Sequence, residues 1–287
     1  MSLPHLLRSS SVTIDAHTHL FPPAQAQARD AIASRDAGFA EIYGDPAAAI
    51  ADAPSLLGAL REDGIEAAVA LGFAFADERD VAEQNEYLLA VAAETPRAIV
   101  PFATVNPALP GWEREARRAL DQGARGFGEL RPGTQGWDPL GSEGRRLAAL
   151  AGEAGAALLW HSSEPVGHRY PGKDGGLSAA ELIEVATAAP EVTMVGAHLG
   201  AGASFYLSMP EVREAAPNLL FDTAAASLLY DSGAIARLVA SAGAERVLFG
   251  SDFPLRRPGT ELKGVLDGLD TATGEAIASG NARKRLC

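Results

Sequence analysis

Short apolar runs and longer amphipathic stretches alternate along nearly the whole chain. The apolar runs cover residues 12–14, 67–71, 98–105, 126–130, 157–161, 192–198, 219–223 and 246–250. They are rich in Val, Leu, Ile, Ala and Phe, as expected of strands buried on both faces. The stretches 55–63, 81–95, 112–122, 143–154, 179–189 and 235–242 repeat apolar residues at helical spacing. Several close on Gly or Pro, as in "EDGIE", "ETPRA", "DQGAR" and "AAPEV". Strand followed by helix, repeated, predicts parallel strands joined by crossovers. Eight such units in 287 residues predict an α/β protein, a (β/α)8 TIM barrel forming one domain over 1–287, because about 250 residues suffice for that fold. A doubly wound open sheet would normally carry a Gly-rich phosphate loop after its first strand, and here that strand ends in "HTH". The one long gap, 20–54, is rich in Ala, Asp and Pro. It predicts an insertion after strand one, lying over the barrel mouth.

Composition narrows the function. Apolar residues make up 47% of the chain, enough for a sizeable core and too many for a disordered protein. No apolar run reaches the roughly 18 residues of a membrane span, and the opening MSLPHLLRSSS lacks a signal-peptide pattern. A cytoplasmic protein with no membrane partner is expected. A formal charge of −13 argues against nucleic acid as a partner, since that binding needs dense positive charge. The expected partner is a small-molecule substrate, with self-association into a homo-oligomer left open. The single cysteine, Cys287, excludes an intrachain disulfide and a thiolate cage, so any metal must rest on imidazole and carboxylate.

In a barrel of this kind, chemistry collects at the C-terminal ends of the strands. The first strand runs into "TIDAHTHLFP", where Asp15, His17 and His19 alternate and would share one face of a regular strand. Strand four ends in "GFGELRP" with Glu129 and Arg131, strand five in "LLWHSSEP" with His161, and strand six in "MVGAHLG" with His198. Strand seven ends in "LLFDTAA" with Asp222 and strand eight in "VLFGSDFP" with Asp252. Four of the six histidines therefore fall on the predicted rim. Any one of them taken alone reads as a hydrogen-bonded core residue, and Asp252 alone reads equally well as a helix cap. Separate explanations would have to hold at each strand, whereas one metal ion accounts for all of them. Imidazole and carboxylate without thiolate suit Zn²⁺, with Mn²⁺ or Fe²⁺ as alternatives.

The loop after strand five, "SSEPVGHRYPGKDGG" at 162–176, carries Glu164, His168, Arg169 and Lys173. With Arg131 beside them, these are candidate substrate contacts; the competing reading is a surface loop with solvated charges. The chain has no G-x-S-x-G elbow, and "GAGAS" at 200–204 lacks a phosphate-loop lysine. Asn281 in "GNARKRL" is expected to cap the final helix.

"DAHTH", "HSSEP", "GAHLG", "GSDFP" and "GNARKRL" resemble the amidohydrolase superfamily of metal-dependent (β/α)8 enzymes. The chain is most similar to the amidohydrolase-related branch, which includes aminocarboxymuconate-semialdehyde decarboxylase and other aromatic-acid decarboxylases. The resemblance implies His17 and His19 as first-strand ligands, His161 as the fifth-strand ligand and Asp252 as the eighth-strand acid. His198 matches the sixth-strand histidine, which either polarises a substrate carbonyl or binds a second ion. Glu129 stands where many two-metal members carry a carboxylated Lys, so one ion or two are implied according to whether it bridges. The activity expected from the resemblance is hydrolysis of a small amide, ester or lactone by metal-activated water, with Asp252 shuttling the proton. The alternative on the same ligands is a lyase, a non-oxidative decarboxylase or hydratase of a small carboxylic acid. Asp15 is read either as orienting one of the histidine rings or, equally well, as making a simple strand-end polar contact.

Overall fold

The structure, a computed structural model, describes residues 12–287, so the MSLPHLLRSSS stretch lies outside the described residues. Eight strands form one parallel sheet in chain order. They are β1 (Ile14–His19), β2 (Ala67–Leu71), β3 (Ile99–Ala103), β4 (Gly126–Leu130), β5 (Ala157–Trp160), β6 (Met194–Gly196), β7 (Leu219–Asp222) and β8 (Val247–Leu248). The sheet closes through bonds between β1 and the segment that continues β8. Ala16 N–H donates to the Phe249 carbonyl at 2.7 Å, Asp252 N–H to His17 at 2.9 Å and His19 N–H to Phe253 at 2.7 Å. The expected (β/α)8 barrel is the fold.

After β1 come α1 (Pro23–Gln27), α2 (Arg29–Ala33), α3 (Ala37–Tyr43) and α4 (Ala53–Asp63). Then α5 (Glu78–Glu94) follows β2, α6 (Trp112–Asp121) follows β3, α7 (Pro132–Gln135) and α8 (Ser142–Ala154) follow β4, and α9 (Ala179–Ala188) follows β5. β6 runs into an irregular 3-10 segment, His198–Ser208, and α10 (Pro210–Ala215). α11 (Ala226–Leu229) and α12 (Ala234–Ala242) follow β7; α13 (Pro258–Leu266), α14 (Thr271–Glu275) and α15 (Asn281–Arg285) complete the chain. Local chemistry sets several of these boundaries. Asp52 caps α4 by accepting from Ser55 N–H at 3.0 Å, and Gly64 ends it at φ 69. Asn281 caps nothing: its Nδ2 donates to the carbonyls of Ala244 and Val247 at 2.8 and 2.7 Å, fastening the last helix to β8.

Three apolar clusters hold the molecule together. One fills the barrel, with Val69, Leu71, Phe102, Leu159, Leu220 and Leu248 meeting Ala282 of α15 and Leu286 just after it. The largest lies between strands and helices. The third joins Phe21, Ile32, Phe39 and Tyr43 of the insertion to Phe73, Phe75 and Val81 beyond β2. Phe39 stacks on Phe75 with ring centroids 5.7 Å apart. The segment after β1 is thus bound to the barrel by an aromatic plate.

Two strands depart from regular pairing. β1 shifts register between Asp15 and Thr18, and β4 between Phe127 and Leu130. In each case three steps on the irregular strand oppose two on its partner, the signature of a bulge. Asp15 therefore pairs with Ala68 and His19 with Leu71, positions three apart and so on opposite faces of β2. The expectation that Asp15, His17 and His19 share a face fails because of this extra residue.

Candidate metal centre

The two bulges deliver His17, His19 and Glu129 to the C-terminal mouth of the barrel, where His161, His198 and Asp252 meet them. His17 Nε2 lies 3.2 Å from His19 Nε2, and Asp252 Oδ1 is 3.6 and 3.5 Å from those two atoms. Glu129 Oε2 is 3.5 Å from His19 Nε2. Its Oε1 is 2.8 Å from His161 Nδ1 and 3.3 Å from His198 Nε2, and those two ring nitrogens are 3.2 Å apart. His17, His19 and Glu129 form one triad with metal-binding spacing; Glu129, His161 and His198 form a second. The imidazoles are all buried, whereas the Glu129 and Asp252 side chains keep 14% and 13% of their surface open. Access to the centre runs past its carboxylates.

The outer nitrogens test whether a cation belongs there. His17 Nδ1–H donates to Asp222 Oδ2 at 2.8 Å, His161 Nε2–H to the Gly172 carbonyl at 2.6 Å, and His198 Nδ1–H to the Ala224 carbonyl at 3.1 Å. With those protons on the outside, the inward nitrogens of all three rings present lone pairs. Bare nitrogens about 3 Å from each other and from carboxylate oxygens repel unless positive charge sits among them. The donor set fits a divalent ion bound by imidazole and carboxylate. The triads His17, His19 and Glu129, and Glu129, His161 and His198, have the spacing to hold it, and Asp252 stands 3.6 and 3.5 Å from the two histidines of the first.

Without an ion, the same field draws protons. Burial disfavours the charged form of His17, but Asp222, Glu129 and Asp252 outweigh it and lift its pKa to about 9. His198 likewise rises against burial to about 10, through Glu129 first. Burial also opposes the charge on Glu129, yet His161 beside it holds the carboxyl well below its usual range.

Asp222 is the residue that sequence reasoning passed over. Besides gripping the His17 ring, its Oδ1 accepts from His198 N–H at 2.9 Å and Ala224 N–H at 3.0 Å. It thereby orients two candidate ligands at once. Of the two readings of Asp15, the strand-end polar contact is the one it fills: its Oδ1 accepts from the backbone of His17 and Ser251 at 3.1 and 2.9 Å. Its other oxygen is buried without a partner, and burial raises its pKa to about 7. Tyr43 was also missed. Its ring is buried in the aromatic plate, 5.0 Å from Phe21, and burial, with the charges of Asp252 and Glu129, pushes its phenol upward.

The expected substrate contacts are placed less uniformly. Arg131 is buried and donates through Nε to the Asp174 carbonyl and through Nη2 to Glu41, each at 2.7 Å. Arg169 is exposed and pairs with Asp174 at 3.2 Å. Lys173 Nζ donates to the carbonyls of Val166 and His168 at 2.6 and 2.9 Å. His168 is exposed and packs on Tyr170, while Glu164 Oε1 is buried and unpartnered. The cations of the 162–176 loop thus hold the loop to itself. Among the described residues, no helix is long and apolar enough to cross a membrane.

The amidohydrolase family model matches residues 14–286. The chain belongs to the amidohydrolase family. No curated protein sequence matches it. Among solved structures, this amidohydrolase is similar to 5-carboxyvanillate decarboxylase from Sphingomonas paucimobilis, at 14% identity and TM-score 0.75, over 96% of this chain and 99% of that one. It is also similar to 5-carboxyvanillate decarboxylase from Novosphingobium aromaticivorans, solved with bound manganese, at 16% identity and TM-score 0.73, covering 96% of both chains. A third is 4-oxalomesaconate hydratase from Rhodopseudomonas palustris, at 18% identity and TM-score 0.64, over 96% of this chain and 95% of that one. At such identities the likeness establishes the barrel alone.

Proposed function

We propose that this amidohydrolase is a metal-dependent lyase, a non-oxidative decarboxylase of a small carboxylic acid. The observation that carries the reading is the set of ring nitrogens and carboxylates that face one another at the barrel mouth, with three of the rings held from behind. Barrels of the same architecture that decarboxylate aromatic acids or hydrate an unsaturated acid support a lyase over the hydrolase expected from the sequence. Hydration is the second reading, favoured by the likeness to the hydratase.

A divalent ion bound here, Mn²⁺ or Zn²⁺, would supply positive charge to grip the oxygens of the acid and to stabilise electron density left on its carbon. The chain provides the rest. Asp222 fixes the His17 ring, and the Gly172 and Ala224 carbonyls fix His161 and His198. Asp252, on the accessible side, hands a proton to the carbon bearing the carboxylate. A C–H bond forms, the bond to the carboxyl carbon breaks and CO₂ leaves. The electron pair of the broken bond stays with the substrate, and Asp252 regains its proton from solvent.

A panel of aromatic and unsaturated carboxylic acids, lactones, esters and amides tests this in oxygen-labelled water. CO₂ release without label in the product is expected. Label uptake without CO₂ would favour hydration, and turnover confined to esters, lactones or amides would overturn the lyase. Asp252→Asn should keep the ion while losing on the order of 10²–10⁴ in kcat; undiminished turnover would remove Asp252 from the chemistry.

A further inference from the structure

His161 faces the centre through Nδ1 and is held from behind through Nε2. Among the described residues, the one hydrogen-bond partner of Nε2 is the Gly172 carbonyl at 2.6 Å. Gly172 is itself tethered on its other side: its N–H, in the Pro171–Gly172 peptide, donates to Glu41 Oε1 at 2.9 Å. The other oxygen of Glu41 accepts from Arg131 Nη2 at 2.7 Å, and Arg131 Nε reaches the Asp174 carbonyl at 2.7 Å. Glu41 lies on α3, in the insertion after β1, so one carboxylate joins that insertion, the end of β4 and the loop after β5. Gly172 adopts φ 93, and a Cβ there would press on Ile42 at 3.3 Å. Glu41 on the preceding peptide, and on the following one the Lys173 N–H, which donates to the Tyr170 carbonyl at 3.2 Å, together fix where the Gly172 carbonyl points.

The tautomer of His161 depends on this carbonyl. With the Gly172 carbonyl in place, Nε2 carries the proton and Nδ1 is bare beside Glu129 Oε1 at 2.8 Å. If the carbonyl turned away, the proton would move to Nδ1 and donate to Glu129. Both facing ligand atoms would then be engaged with each other and closed to a cation.

Resting on the metal-dependent reading above, we propose that Glu41 is a positioning residue of the metal centre. By holding the Gly172 N–H it keeps that residue where its carbonyl selects the ion-binding tautomer of His161. Seating of the insertion and competence of the centre are coupled through a single carboxylate.

Mn²⁺ affinity of the full chain, measured by chelator competition, tests the coupling, with amide exchange at Gly172 read in parallel. Glu41→Ala should weaken Mn²⁺ binding by about 10–100-fold and speed Gly172 exchange. Glu41→Gln keeps an oxygen acceptor for the Gly172 N–H while giving up the one that Arg131 uses, and should fall between Ala and wild type. Arg237→Ala, which breaks only an exposed pair with Asp231 on another part of the surface, should leave the affinity unchanged. Equal affinity in Glu41→Ala and wild type would overturn the proposal, as would an equal loss in the Gln and Ala variants. Wild-type protein that binds Mn²⁺ but decarboxylates nothing would overturn the lyase reading and leave the affinity comparison to decide this one.

Discussion

Asp222 shows how a candidate site can be half visible in a sequence. Its neighbours "LLFDTAA" placed it on the rim, yet nothing local distinguishes an acid that grips a ring from one that caps a turn. The useful signal was indirect: a buried His ligand needs an acceptor for its second nitrogen, and Asp222 was an unassigned strand-end acid. Asp222→Ala should weaken divalent-ion binding by about 10–100-fold, with Asn milder because its carbonyl still serves the His198 and Ala224 amides; equilibrium dialysis against Mn²⁺ reads the difference. Asp15 has the opposite history. Its alternation with His17 and His19 invited a role at the rings, and one extra residue in β1 moved it to backbone duty instead. Since burial already pushes this carboxyl up to about 7, an uncharged replacement that keeps one oxygen costs little. Chemical denaturation should find Asp15→Asn within about 1 kcal/mol of wild type, and Asp15→Ala weaker by about 1–3 kcal/mol, because two buried N–H groups lose their acceptor.

Elements bounded by sharp changes of polarity were legible to the residue. β2 and β4 occupy the stretches their apolar runs predict, 67–71 and 126–130. β6 and β8 are shorter than their runs because the backbone turns left-handed soon after them, at His198 with φ 56 and at Asp252 with φ 67. Apolar composition reports burial, and those residues are buried whether or not they pair. The bulges of β1 and β4 were invisible for a related reason: an added residue changes pairing without changing the hydrophobic pattern. The 20–54 gap was recognised as an insertion, but its three short helices carry too little periodicity to be read. What holds them is the aromatic plate, so Phe39→Ala should cost about 3–5 kcal/mol, measurable by denaturant unfolding. Loss of that magnitude confined to the insertion would appear as early proteolysis between 20 and 54.

For the whole molecule, the centre is a competition between protons and an ion. His17 and His198, at about 9 and about 10, are protonated at pH 7 when no ion is bound, and each must lose a proton to become a ligand. Divalent-ion affinity should therefore climb with pH from 7 toward 9 and flatten above 10, with release of about two protons per centre near neutrality. Titration calorimetry in buffers of different ionisation heat counts them; binding with no proton release would contradict the account. The barrel as a whole was legible because eight repeats of strand and helix leave few alternatives. How it closes was not, since closure depends on backbone bonds between residues far apart in the chain. The Ser251 amide reaches Asp15 across 236 positions, and the same seam brings Asp252 to His17. His17 and His19 thus leave the ribosome long before Asp252, which meets them at the mouth. The six side chains come together only once the segment after β8 has joined β1, so the whole centre exists only in the closed barrel.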